Sequence, residues 1–226
     1  MNEALNIDDV PDVSAEWYRD VTEFAHDTPS WSHGLAELGT EAVIVLFAAL
    51  LVWAWWRARG QSGRAMAAAV VGPVAVVAVY LFSETLKNIV QEERPCRAVP
   101  GVTALAPCPE YGDWSFPSNH SVLAAGAAAV LALAWRRAMI PLVVLAALAA
   151  FSRVYLGVHY PHDVAAGFLL GVVVTPVLVL LLAPPLAPLV DRLRGQSLGR
   201  ALLGGAGTVN PDAGWDRDPR ARPHGR

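Results

Sequence analysis

Residues 164–183 read VAAGFLLGVVVTPVLVLLLA, twenty residues without a charge. A helix crosses the hydrocarbon core of a bilayer with about 20 residues, range roughly 17 to 25. A second uncharged run, Ala65–Phe82, also reaches that length. Three further runs, Ala42–Trp56 (extendable back through Leu35), Ser118–Trp135 and Ala138–Ser152, need their polar flanks to do so. One such run can be a buried helix of a soluble protein, but five in succession argue against it. The rest of the chain agrees. Of its 226 residues 54% are hydrophobic and only 16% charged, against about a quarter charged in soluble domains. The charges gather at the two ends and in short loops. The expected fold is therefore all-α, a polytopic transmembrane helix bundle with five spans. A sixth would follow if the N-terminal segment also crossed.

Arginine placement suggests an orientation. Arg57, Arg59 and Arg64 follow the first span, Arg136 and Arg137 the third, and Arg192, Arg194 and Arg200 the fifth. Basic residues near span ends favour the cytoplasm. The N-terminus and the 83–117 and 153–163 loops are then expected outside. Lys87, Arg94 and Arg97 break the pattern in the outer 83–117 loop, which a functional role would explain. No basic stretch precedes the first apolar run, so no signal peptide is expected.

Residues 1–34 form an acidic leader. In it Trp17, Tyr18, Val21, Phe24 and Ala25 recur at helical spacing, as in an interfacial helix; an acidic arm without structure is the alternative. Residues 35–190 are expected to form the transmembrane domain. Gly72-Pro73 is expected to kink the second span, Pro161 to open the fifth helix, and Pro184, Pro185 and Pro188 to end it. Residues 191–226 are expected to be a cytoplasmic tail without regular structure. Cys96 and Cys108 share the outer loop, where a disulfide is permitted and would contribute about 3 kcal/mol by chain entropy. Two free thiols are the alternative.

The unusual polar residues cluster by topology. Lys87 and Arg94 follow the second span, Ser118, Asn119 and His120 open the third, Arg153 closes the fourth, and His159 and Asp163 lead into the fifth. All map to one membrane face. Lys87 is the only lysine among 17 basic residues. An ammonium and several guanidiniums together suit phosphate oxygens, although any one cation can equally be an anchor that snorkels to headgroups. Ser118, after Pro117, has the position of an N-cap, and helix N-termini favour anions. Asp163 lies four residues after His159 and can hold one ring nitrogen, leaving the other as nucleophile. His120 can then act as acid and base. His159, His162 and Asp163 also raise a metal reading, but their spacing matches no usual zinc pattern and nearby cations oppose it. No metal or cofactor is expected.

Three stretches carry a family resemblance. KNIVQEERP (87–95) fits K-x6-R-P, PSNH (117–120) resembles P-S-G-H, and SRVYLGVHYPHD (152–163) fits S-R-x5-H-x3-D. In this order and spacing they resemble the type 2 phosphatidic acid phosphatase (PAP2) family, which includes the vanadium haloperoxidases. The resemblance implies that His159 forms a phosphohistidine, Asp163 orients it, and His120 is acid then base. It also implies that Lys87, Arg94, Ser118, Asn119 and Arg153 hold the phosphate, with no metal needed. Asn119 departs from the family glycine and is expected to narrow the pocket or add a donor. The implied substrate is a membrane lipid phosphate. Polyprenyl diphosphate comes first, as in the undecaprenyl-diphosphate phosphatases of the family, and phosphatidate or phosphatidylglycerophosphate next. The bilayer is the expected surroundings; neither nucleic acid nor a protein partner is implied. Arginine-rich, lysine-poor usage suits a GC-rich bacterium, and so an inner-membrane protein. A non-hydrolytic phospholipid binder or transporter is the competing class, and a haloperoxidase a third that the membrane spans disfavour.

Overall fold

The computed structural model describes residues 10–205, and all its regular structure is helical. The helices are α1 (Asp12–His26), α2 (Ser30–Ala58), α3 (Gly63–Val90), α4 (Pro95–Ala98), α5 (Asn119–Ala134), α6 (Met139–Tyr155), α7 (Pro161–Arg194) and α8 (Ser197–Leu203). A turn of 3-10 helix, Arg136–Ala138, joins α5 to α6. The segments containing α2, α3, α6 and α7 are long and apolar enough to cross a membrane. The fifth apolar helix, α5, has 16 residues. At about 1.5 Å per residue it is roughly 24 Å long, short of a hydrocarbon core of about 30 Å.

Its place in the bundle explains how a short helix suffices. α5 packs against α2, α3, α6 and α7, and most of its residues are buried. Protein, not lipid, surrounds it, so its ends need not reach the headgroups. The pocket at its N-terminus is therefore sunk into the bundle. Small residues permit the close approach. A Cβ on Gly72 of α3 would lie 2.5 Å from Val130, and one on Gly171 of α7 would lie 2.6 Å from the Val122 carbonyl oxygen.

Several helices run beyond the apolar stretches that announce them. α3 continues through Pro73 and eight residues past Phe82, to Val90. α2 begins at Ser30, inside the stretch expected to be leader. α7 does not stop at its prolines: Pro176, Pro184, Pro185 and Pro188 all lie within it, and it ends at Arg194. Each proline forfeits one hydrogen bond, but in an apolar medium a broken helix would strand several more polar groups. The expected unstructured tail is thus helical as far as Leu203, while 206–226 lie outside the described residues. Arg194 folds back to the Ala58 and Gln61 carbonyls at 3.2 and 2.9 Å, closing the end of the bundle opposite the pocket.

The leader contains a helix whose apolar face is divided. Tyr18 and Ala25 are buried, whereas Trp17 and Phe24 are exposed. The buried side clamps the α6–α7 connection. Tyr18 donates to the Gly157 carbonyl at 3.0 Å, its ring meets Tyr160 edge-on, and Ser14 Oγ lies 2.7 Å from His162 Nδ1.

Candidate active site

The pocket forms where four chain segments converge: the C-terminal turn of α3 with the loop after it, the start of α5, the end of α6 and the start of α7. Local structure sets each side chain. Pro161 occupies the first turn of α7, and Asp163 sits at its third position. There its Oδ2 accepts from the Tyr160 backbone N–H at 2.8 Å, as a capping carboxylate does. The same oxygen lies 3.2 Å from His159 Nδ1 and accepts from Ser115 Oγ at 2.5 Å. One carboxylate oxygen therefore caps a helix and holds an imidazole. With Nδ1–H given to Asp163, the other ring nitrogen keeps its lone pair. That Nε2 lies 3.0 Å from Arg94 Nη1, a donor. His159 is 1% exposed. Burial first, then the charge of Arg94, drives its imidazolium pKa down to about 3, against the pull of Asp163. The ring is a neutral base throughout the ordinary pH range.

The cations face a carboxylate absent from the sequence expectations. Lys87 Nζ and Arg94 Nη2 each lie 2.9 Å from Asp113 Oδ1, and Arg94 Nε donates to the Asp113 carbonyl at 2.7 Å. Both cations are buried, while the Asp113 side chain is half-exposed. Burial pushes the Asp113 carboxyl up, but hydrogen bonds and charge from Lys87 and Arg94 outweigh it and hold the group below its usual range. Arg97 does not join the site. It binds Glu93 and the Pro109 carbonyl, bracing the loop that the Cys96–Cys108 disulfide closes.

Eight buried side-chain atoms among the described residues lack a hydrogen-bond partner; Glu92 Oε1, Tyr160 Oη and Asp163 Oδ1 lie beside the histidine pair, and two more belong to the phosphate-binding candidates. Ser118 stands at the N-cap of α5, yet its hydroxyl makes no capping bond and, fully buried, bonds to nothing among the described residues. Arg153 Nε is likewise buried and unpartnered. Unmet donors of this kind are costly unless a ligand meets them. The Ser118 backbone N–H binds the Asp163 carbonyl at 3.1 Å, which ties α5 to α7 beside the dyad. Arg153 is close enough to Arg94 and to His120 to interact with both charges.

Asn119 is turned elsewhere. Its amide donates to Glu84 Oε1 and accepts from Ser83 Oγ at 2.7 Å. It bridges α5 to α3. His120 lies at the pocket's edge, its Nε2 2.8 Å from Glu41 Oε1 of α2. Below Asp163, His162 Nε2 lies 3.0 Å from Glu92 Oε2 and 3.3 Å from Asp163 Oδ1. Among the described residues, Glu92, His162 and Asp163 have ligand atoms within 4.8 Å of one another and could hold a cation. His159, which the disfavoured metal reading of the sequence places with His162 and Asp163, is not among them.

The structure thus brings Lys87, Arg94, Ser118, Arg153, His159 and Asp163 into one cluster, with His120 beside Arg153. Sequence reasoning missed Glu41, Asp113 and Ser115. Ser115 had a weak signal in its position two residues before Pro117, just ahead of the second stretch of resemblance. Chemically, the site offers a neutral imidazole whose Nε2 lone pair meets the Arg94 guanidinium, a second histidine, and a cluster of cationic and hydroxyl donors of the kind that bind anions.

Comparison with known proteins gives the same family. The PAP2 superfamily model matches residues 68–184. The undecaprenyl-diphosphatase of Sulfolobus acidocaldarius is 36% identical over 43% of this chain and 47% of its own length. The chain thus spans less than half of that relative. Undecaprenyl-diphosphatase BcrC of Bacillus subtilis is 32% identical over 60% of this chain and 67% of its own. Among solved structures, the transmembrane PAP2 type phosphatidylglycerolphosphate phosphatase of Bacillus subtilis superposes with a TM-score of 0.55. It has 22% identity and covers 84% of this chain and 91% of that one.

Proposed function

The chain belongs to the PAP2 superfamily, and from that membership we propose that it is a membrane lipid phosphatase working through a phosphohistidine. One observation carries the reading: a neutral, buried His159 held at Nδ1 by Asp163, beside the unpartnered donors of Ser118 and Arg153. Binding alone would not need an oriented nucleophile.

The geometry suggests the steps. A phosphate enters and takes the donors of Lys87 and Arg94 now turned to Asp113, together with Ser118 Oγ, Arg153 and the first amides of α5. Arg94 Nη1 passes from His159 Nε2 to a phosphate oxygen. The Nε2 lone pair attacks phosphorus, and the bond to the leaving oxygen breaks as His120 protonates that oxygen. His120, now neutral, takes a proton from water. The resulting hydroxide oxygen attacks phosphorus, the P–N bond breaks, and orthophosphate leaves with His159 restored. The cationic cage stabilises the equatorial oxygens at each transition state. Charge is balanced by side chains, and no step calls for a metal.

Polyprenyl diphosphate is the proposed substrate, with phosphatidate and phosphatidylglycerophosphate as alternatives. An apolar groove of about 510 Å³ between α2 and α6 supports a lipid. It is lined by Leu35, Val43, Leu145 and Leu148, and includes Thr40 and Ser152, the neighbours of Glu41 and Arg153. Orientation is part of the proposal: the site faces the extracytoplasmic side of a bacterial inner membrane, with the arginine-rich end inside.

The test is phosphate release from purified protein with EDTA present, comparing the three lipids. Polyprenyl diphosphate should be cleaved fastest. His159→Ala should abolish release and His120→Ala reduce it by about 10²- to 10⁴-fold, both proteins remaining inserted. Full activity in His159→Ala would sink the mechanism.

A further inference from the structure

Glu41 is a charge in a helix that should not want one. It lies within α2, and the next fifteen residues, 42–56, carry no charge. Ionisable side chains within spanning segments are costly and are retained where they have a partner with a task. Here the partner is His120, with Oε1 2.8 Å from Nε2. α2 is fixed in rotation on both sides of this contact. Thr40 Oγ1 reaches the Ala149 carbonyl of α6 at 3.3 Å, and Phe47 is buried in the core. The backbone that carries the carboxylate is therefore held in place, and the side chain, 63% exposed, reaches His120 from it.

We propose that Glu41 is the positioning residue of the general acid: it accepts Nε2–H of His120, so that Nδ1 carries the proton given to the leaving oxygen. This rests on the phosphatase reading above and deepens it. The site would then contain two histidine–carboxylate dyads of opposite sense. Asp163 holds Nδ1 of His159 and frees Nε2 to attack, while Glu41 holds Nε2 of His120 and frees Nδ1 to donate. Arg153 from α6 and Lys87 from α3 also lie near enough to act on His120. A general acid must begin protonated, and a carboxylate on Nε2 fixes the tautomer and supplies a counter-charge.

The experiment compares Glu41→Gln, Glu41→Asp and His120→Ala with the unchanged protein, on a lipid phosphate and on para-nitrophenyl phosphate. In para-nitrophenyl phosphate the leaving phenolate needs little protonation. Glu41→Gln should lower kcat on the lipid by about 10- to 100-fold, the lower part of what a general acid contributes, with KM changed less than about twofold. The alkaline limb of kcat should move to lower pH, because the imidazolium loses its counter-charge. The loss should shrink on para-nitrophenyl phosphate, and Glu41→Asp should recover part of it. ¹⁵N-histidine spectra should show Nε2–H hydrogen-bonded in neutral His120 of the unchanged protein and weakened in Glu41→Gln, a readout independent of turnover.

A raised KM with unaltered kcat, an unmoved pH profile, or equal losses on both substrates would overturn the proposal. So would a neutral His120 with Nε2 unprotonated. If His120→Ala shows the leaving-group dependence and Glu41→Gln does not, the role of Glu41 falls while the phosphatase reading stands. If His159→Ala keeps full activity, both fall.

Discussion

Asp163 Oδ2 receives the Tyr160 amide, the Ser115 hydroxyl and His159 Nδ1, and these bonds make the state of His159 predictable. An ordinary imidazole titrates near 6.5, whereas His159 is held to about 3 by burial and by Arg94. As pH falls from 6.5 towards 3, the unfolded chain takes up a proton that the folded one refuses, so this group's share of stability is lost across that window. At pH 5 the ¹⁵N spectrum of His159 should still show a neutral ring, and an imidazolium there would contradict the assignment. Asp113 makes a second prediction. Its carboxylate holds Lys87 and Arg94 where a phosphate would, so an incoming anion must displace it. Asp113→Asn should tighten inhibition by vanadate roughly 3- to 10-fold, about 0.7–1.4 kcal/mol, measured as an inhibition constant. The cations and histidines were legible in the sequence because their types are rare in an apolar chain and their spacing is local. Glu41, Asp113 and Ser115 were not. Glu41 lies 79 residues from His120 and Ser115 lies 48 from Asp163, and such pairings exist only once helices have packed.

At the scale of helices, α5 and α7 meet backbone to backbone. Gly167 and Gly171 stand one turn apart on α7, and a Cβ at Gly167 would lie 2.4 Å from the Ser118 carbonyl oxygen. The sequence carries this as G-x-x-x-G, a spacing that lets two helices approach closely in a membrane. The contact does more than pack. It sets the distance between Ser118 on α5 and the dyad at the head of α7. Gly171→Ala, farther from the pocket, should cost about 1–3 kcal/mol by overpacking and lower the melting temperature in detergent. Gly167→Ala should do the same and also depress kcat, because it pushes on Ser118 itself. Equal kcat losses relative to stability in both variants would separate the contact from catalysis. Helix cores were legible here because charge is absent from them. Their ends were not, because α3 and α7 run on into polar or proline-containing turns that packing stabilises and hydropathy does not register.

Across the whole molecule the two ends differ in kind. One gathers the pocket, α1 and the disulfide; the other gathers Arg57, Arg59, Arg64 and Arg194, with Arg194 bonded back to the α2–α3 connection. The positive-inside tendency and the need of a disulfide for an oxidising compartment are independent arguments for the proposed orientation, with the disulfide end outside. Cys108 is exposed and Cys96 partly so, which makes the assignment measurable. After mild reduction of intact cells, a membrane-impermeant maleimide should label Cys108, and Cys108→Ser should remove most of that signal. Labelling that appears only after lysis would invert the bundle. The pocket would then face cytoplasmic lipid phosphates, and a carrier diphosphate discharged on the outer leaflet could no longer be its substrate.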